Sequence, residues 1–248
     1  MRYLISCSFK GTRYHGWQSQ AGTDITVQTT LEKACATILH KAKIDIVGCG
    51  RTDAGVHALQ YFAHFDEQDN LPPDVAYHLN AILPSDIAVS SVTQTLDDFH
   101  ARYDAVLRTY EYHLHGYKSP FLDDLSYHFK FLNRLDVSVL QAAADLILSY
   151  DSFFPFCLSG SNLKHYHVQM KSVLWECPEP GKLVFRISAN RFLRGMVRLI
   201  IGMCINVALG KLSLDQVKTS LDSQILLPKS LSVPAHGLYL KNIQYPIR

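Results

Sequence analysis

The sequence predicts an α+β fold, and three observations predict it. Segments whose apolar residues alternate are interleaved with segments whose apolar residues recur every three or four positions. The interleaving lacks the regular strand–helix–strand beat that builds a parallel sheet. No low-complexity linker breaks the chain, so two halves, 1–106 and 107–248, are expected to meet without a spacer, near the light punctuation at 116–120.

Each element follows from its local pattern. Residues 2–9 read as a strand, with close-set apolar and aromatic residues around the β-branched Ile5. Val27, Leu31, Cys35, Ile38 and Leu39 form one apolar stripe of a helix over 26–41. A short strand at 44–47 leads into Gly48-Cys49-Gly50, and another at 59–65 carries His64. Pro72-Pro73-Asp74 suits the first turn of a helix, where a missing N–H costs nothing, and Val75, Leu79 and Ile82 continue it to Pro84. Strands are expected at 87–92, 100–106 and 108–115, the last with Tyr110, Tyr112 and Leu114 on one side. Leu140, Ala143 and Ile147 mark a helix over 135–150, followed by strands at 167–175 and 183–189. A long helix is expected over 191–209, striped by Phe192, Met196, Leu199, Met203 and Val207. Ser213 and Gln216 make a capping box for a helix to about 222, and 238–245 closes the chain as a strand.

Composition excludes more than it selects. The chain of 248 residues is 48% hydrophobic and 19% charged, ordinary for a globular protein. A net charge of +2 does not announce nucleic acid. Placement is more suggestive, because Arg51, Arg102, Arg108, Arg191, Arg194 and Arg198 lie in or beside the segments with the densest chemistry. The six cysteines form no C-x-x-C pair, and most sit in apolar runs, which reads as buried thiols in a reducing compartment. The His113/His115 and His165/His167 pairs lack the further ligands a metal would need. The first residues have no leader pattern, and the most apolar run, 192–209, is interrupted by Arg194, Arg198 and Asn206, so no membrane association is expected and a cytoplasmic location is.

The densest chemistry lies between Gly48 and Ala58. There an Arg51-Thr52-Asp53 triplet sits on a glycine-flanked loop between apolar strands, where catalytic carboxylates are often held. A turn aspartate that bonds its own backbone has the same signature. The sequence contains no phosphate-binding loop, dinucleotide fingerprint, nucleophile elbow or H-E-x-x-H motif.

The segment Gly-Cys-Gly-Arg-Thr-Asp-Ala-Gly-Val-His-Ala (48–58) resembles the signature of the TruA-type tRNA pseudouridine synthases. The similarity continues in order through Gly16-Trp17-Gln18 with Val27-Gln28 and Leu31-Glu32, then Leu79-Asn80 with Leu83-Pro84 and Asp86-Ile87. It goes on through Phe99-His100-Ala101-Arg102, Arg108-Thr109-Tyr110-Glu111-Tyr112, Phe192-Leu193-Arg194-Gly195-Met196-Val197-Arg198 and the end at Gly237-Leu238-Tyr239-Leu240. Cys49 stands where the family commonly has Ala, Lys10 where it often has Asp, and Gly195 where it often has His. The stretch 151–160 matches only loosely and lends no site.

The resemblance implies a pseudouridine synthase fold: two similar halves with joined antiparallel sheets, helices on one face and a catalytic cleft between them. The first half would carry the aspartate loop and the second the tyrosine and arginine. It implies a homodimer acting on the anticodon stem-loop of tRNA, at the uridines conventionally numbered 38, 39 and 40, with no cofactor and no metal. Asp53 would be the nucleophile, Arg198 its ion-pair partner, Tyr110 the ring that stacks on the extruded uracil, and Arg51 a phosphate contact. Periodicity alone does not choose between Tyr110 and Tyr112, and a structural salt bridge would equally explain Arg51. His57, His64, Gln18 and Arg108 are further expectations for an RNA-facing wall. Two other readings stand beside this one: a synthase for other RNA uridines, and a noncatalytic RNA-binding module.

Overall fold

The computed structural model describes residues 1–20, 22–23, 25–158, 164–227 and 231–246. Residues 159 and 160 of the loosely matching stretch therefore lie outside the described residues. The fold is mixed α and β, with five α-helices among the described residues and mostly antiparallel strands. It separates into two compact units, Met1–Val106 with Tyr239–Arg248, and Leu107–Leu238.

In the first unit β1 (Arg2–Phe9) lies between β3 (His57–Asp66) and β4 (Ile87–Thr95), antiparallel to both. Its burial alternates along the strand, and Tyr3, Ile5, Cys7 and Phe9 supply the core. The other edge of β3 is shared. β2 (Val47–Gly48) pairs antiparallel at His64 and Ala63, and β9 (Leu238–Gln244) pairs parallel at His57 and Ala58. That pairing counts 239–248 with the first unit, whereas the division at 106 kept them with the second half. Helix α1 (Val27–Ile38) begins where the Thr26 side chain accepts from the Thr29 N–H, and it packs against α2 (Val75–Ile82).

In the second unit β5 (Leu107–His115), β8 (Lys182–Ala189) and β7 (Met170–Glu176) form an antiparallel sheet in that order, and β6 (Tyr127–His128) runs parallel to the end of β5. Helix α3 (Val137–Asp145) packs on β7 and on α4 (Met196–Ala208). Ten of the thirteen residues of α4 are buried, each large one contributing about 1.5–3 kcal/mol. Helix α5 (Leu214–Ser223) carries the expected capping box, with Ser213 and Gln216 bonded reciprocally at 2.9 and 3.1 Å. Among the described residues no helix is long and apolar enough to cross a membrane. All six cysteines are free thiols and five are buried; burial pushes Cys35 and Cys204 up to about 12.

Four expectations are corrected. The strand expected at 100–106 is a compact turn: the His100 ring nitrogen accepts from the Arg102 and Tyr103 N–H groups, and Asp104 accepts from the His100 N–H. Local side-chain bonds there replace a ladder. The helix expected from 191 starts at Met196, after Gly195 in the left-handed region (φ +70°). Pro72 and Pro73 precede α2 instead of opening it, because Asp74 at φ +55° breaks the chain direction just before Val75. The single helix over 135–150 is α3 followed by a tighter 3-10 turn, Leu146–Ser149.

Candidate active site

The loop from Gly48 to Val56 is bonded to its surroundings mainly through its main chain. The Cys49 N–H donates to the Phe62 carbonyl at 2.9 Å, and the Gly50 carbonyl accepts from the Tyr61 hydroxyl. The Tyr61 ring stacks on Trp17 with centroids 4.0 Å apart, giving the loop a rigid aromatic floor. Further on, the Thr52 carbonyl accepts from the Trp17 N–H at 3.3 Å, and the Asp53 carbonyl from the Val56 N–H at 3.2 Å. The Gly55 N–H donates to the Tyr14 carbonyl at 3.3 Å. At the downstream end His57 is buried, accepts from the Gly11 N–H at 3.0 Å and packs on the Tyr239 ring.

Gly16 makes this clamp possible. Its φ is +86°, and a Cβ there would lie 2.3 Å from the Thr52 carbonyl oxygen. Its own carbonyl accepts from the Val27 N–H, and the Trp17 carbonyl from the Gln28 N–H. The separated sequence pairs Gly16-Trp17 and Val27-Gln28 are thus one hydrogen-bonded unit joining the start of α1 to the loop.

On this frame Asp53 is half-buried and Arg51 exposed. Arg51 makes no ion pair or hydrogen bond among the described residues, which disfavours the structural salt bridge that the sequence left open. Thr52, between them, is buried, and its hydroxyl has no hydrogen-bond partner among the described residues. A small pocket of about 160 Å³ beside the loop is lined by Gln18, Gln28, Gly50, Arg51 and Arg102, among others.

The second unit holds the other two expected residues. Tyr110 on β5 pairs with Ile187, stays half-exposed and meets Phe192 edge-on at 5.2 Å. Tyr112 is fully buried and donates its hydroxyl to the Pro234 carbonyl at 2.9 Å, and burial first of all pushes its hydroxyl far above the usual range. Of the two tyrosines only Tyr110 has surface to offer a ligand. Arg198, in the first turn of α4, is half-buried and donates from Nε to the Val233 carbonyl at 2.7 Å.

That carbonyl belongs to a strap over α4 that the sequence reading missed. The Val233 N–H also donates back to the Arg198 carbonyl at 3.3 Å. The strap touches α4 at Gly202, where a Cβ would fall 1.5 Å from the Leu231 carbonyl oxygen. A glycine inside a helix pattern was its one sequence signal.

Two of the expected RNA-facing residues are corrected. His57 and His64 are buried, and His64 accepts the Ala101 N–H at 3.2 Å. Burial, then the nearby Arg2 and His100, lower His64 to about 4. Arg108 donates to the Asn190 carbonyl, while Gln18 does reach the pocket.

Comparison with known proteins bears on what such a loop serves. The profile of the tRNA pseudouridine synthase family matches residues 5–104 and 151–246. The tRNA pseudouridine synthase A of Bacteroides fragilis is 40% identical over 247 residues, spanning 99% of this chain and 96% of that protein. Its counterpart in Porphyromonas gingivalis is 38% identical over 249 residues, spanning 99% and 97%. That of Bacillus subtilis is 37% identical over 248 residues, spanning 99% of each chain.

Proposed function

The chain belongs to the tRNA pseudouridine synthase family, and from that premise we propose that it isomerises uridines 38, 39 and 40 in the anticodon stem-loop of tRNA, with Asp53 as nucleophile. The reaction neither gains nor loses atoms. The N1–C1′ bond breaks, the uracil turns, and C5 bonds to C1′; C5 releases its proton and N1 takes one up. A carboxylate that attacks C6 or C1′ and later departs splits this into easier steps and is regenerated, so no cofactor is called for.

The observation that carries the reading is the main-chain clamp on both sides of Asp53, because a nucleophile must meet one ring atom within a few tenths of an ångström. The other residues take roles around it. Arg198 pairs with Asp53 and keeps it ionised, Tyr110 stacks on the extruded base, and Arg51 contacts the backbone. Extruding a stacked base costs a few kcal/mol, which phosphate contacts repay, so affinity falls as salt rises. The reading further takes the two halves to be similar in fold and two protomers to share one tRNA in the cytoplasm. Size measurement with and without tRNA tests the dimer.

The test of the reaction compares the wild type with Asp53→Asn on unmodified tRNA, mapping pseudouridine at base resolution beside a binding assay. We expect the wild type to convert the anticodon-stem uridines and the variant to bind but convert none. Conversion by the variant at the wild-type rate would make Asp53 a turn residue. Binding without conversion by either protein would favour a noncatalytic module, and conversion elsewhere another RNA target.

A further inference from the structure

The pocket beside the Asp53 loop is lined by residues of the first unit, and of these the roles above use Arg51 alone. We propose that it holds one ribose-phosphate of the substrate RNA, with Arg102 joining Arg51 on the phosphate and Gln18 reading the sugar's 2′-hydroxyl. The inference rests on the RNA reading and deepens it by adding Arg102 to recognition and giving Gln18, expected on the RNA-facing wall, a definite contact.

Size sets the class of ligand. At about 160 Å³ the pocket falls well below the several hundred Å³ of an ordinary small-molecule site, but it suits a single backbone unit. Charge sets the sign. The lining residues Gln18, Gln28, Ile46, Val47, Gly48, Gly50, Arg51 and Arg102 include two guanidinium groups and no carboxylate. Both arginines are exposed. The guanidinium of Arg102 lies 5.6 Å from the centre of the Tyr103 ring, a contact that helps to position it. Planar forks of this kind suit phosphate oxygens.

The two amides set the specificity. Gln28 is saturated: its oxygen accepts from Gln18 Nε2 at 2.8 Å and from the Ser19 N–H at 2.9 Å. Its nitrogen donates to Glu32 at 2.8 Å and to the Ile46 carbonyl at 3.0 Å. Glu32 in turn accepts from the Ile46 N–H at 3.1 Å, which holds the Gln28 amide in place from its other side. Gln28 therefore acts as a bracket that fixes one N–H of Gln18. The carbonyl oxygen and second N–H of Gln18 make no other hydrogen bond among the described residues. A group with one acceptor and one donor at a pocket edge matches a 2′-hydroxyl, which both donates and accepts.

Arg102→Gln and Gln18→Ala test this, each checked by thermal melting against the wild type. Arg102→Gln is expected to raise the KM for tRNA about tenfold with kcat within about twofold, and to reduce the slope of log affinity against log salt by about one. Single 2′-deoxy substitutions walked along the stem-loop should reveal one position that costs the wild type about fivefold and costs Gln18→Ala nothing further. An unchanged KM and salt slope in Arg102→Gln would overturn the phosphate assignment. Independent, multiplying losses from Gln18→Ala and every deoxy position would overturn the sugar assignment, and this arm decides if Arg102→Gln does not fold. The salt slope is read on binding, so the subsite is tested even if no uridine converts; a wild type that converts none refutes the reaction instead.

Discussion

The loop of Asp53 and the seat of Arg198 are fixed in opposite ways. Around Asp53 the main chain is bonded at Cys49, Gly50, Thr52, Asp53 and Gly55. At Arg198 the side chain itself is bonded, from Nε to the carbonyl of Val233, and the carbonyl is held by a strap that crosses its own helix. The first arrangement sets where a carboxylate stands. The second sets which way a guanidinium faces, and it depends on a segment far away in sequence. A change to the first should be felt through backbone placement, and a change to the second through the strap.

Four substitutions probe that contrast. Gly202→Ala should have the largest effect, because no side-chain movement clears a Cβ placed on the Leu231 carbonyl. A loss of more than about 3 kcal/mol in thermal melting is expected, together with loss of turnover. Gly16→Ala should come next, at about 2–3 kcal/mol, combining a strained positive φ with a clash at Thr52. If Gly16→Ala keeps full kcat at a temperature where it is folded, the main-chain clamp does not govern Asp53. Tyr112→Phe leaves the Pro234 carbonyl without its donor at an expected cost of about 1–2 kcal/mol, with kcat falling more than KM changes if the strap orients Arg198. Thr52→Val is the smallest and the only one of opposite sign. It removes a buried hydroxyl that has no partner among the described residues, so it should leave stability equal or raise it by up to about 1 kcal/mol.

Acid sharpens the same contrast within the first unit. His64 ionises near 4 in the fold, below its ordinary value of about 6.5. The unfolded chain therefore binds the extra proton first. The contribution of neutral His64 is complete above about pH 6.5 and is lost progressively as pH falls toward 4, by at most about 1.4 kcal/mol per unit. Melting curves from pH 7 to 4.5 should show a steeper acid decline for the wild type than for His64→Asn, and parallel curves would remove His64 from the account.

Long amphipathic elements were legible because periodicity survives any tertiary context, as α1 and α4 illustrate. Boundaries were not, wherever a side chain bonds the local backbone or a left-handed residue turns the chain. His100 and Asp104 erased a strand in the first way, and Asp74 and Gly195 moved two helix starts in the second. The candidate site was legible as motifs because its spaced pairs are hydrogen-bonded units. Asn80 repeats the pattern of Gly16-Trp17, bonding both the N–H and the carbonyl of Val89 at 2.8 Å. Alternation treats Tyr110 and Tyr112 alike, so only the resemblance selected Tyr110 in the sequence; in the fold it is burial that separates them. The strap escaped because its working group is a main-chain carbonyl, which no residue type announces.

The parallel pairing of β9 with β3 also has a consequence in time. The first unit draws on 1–106 and on a strand that the ribosome supplies only after 107–238, on the order of ten seconds later at ordinary rates of synthesis. Through that interval the edge of β3 at His57 and Ala58, immediately after the aspartate loop, stays uncovered while the second unit can already condense. The main-chain bonds of the loop at Cys49, Gly50, Thr52, Asp53 and Gly55 reach residues 14–62, so they can close before that strand arrives; what the late strand adds is the partner for the His57 end of β3 and the Tyr239 ring that packs on His57.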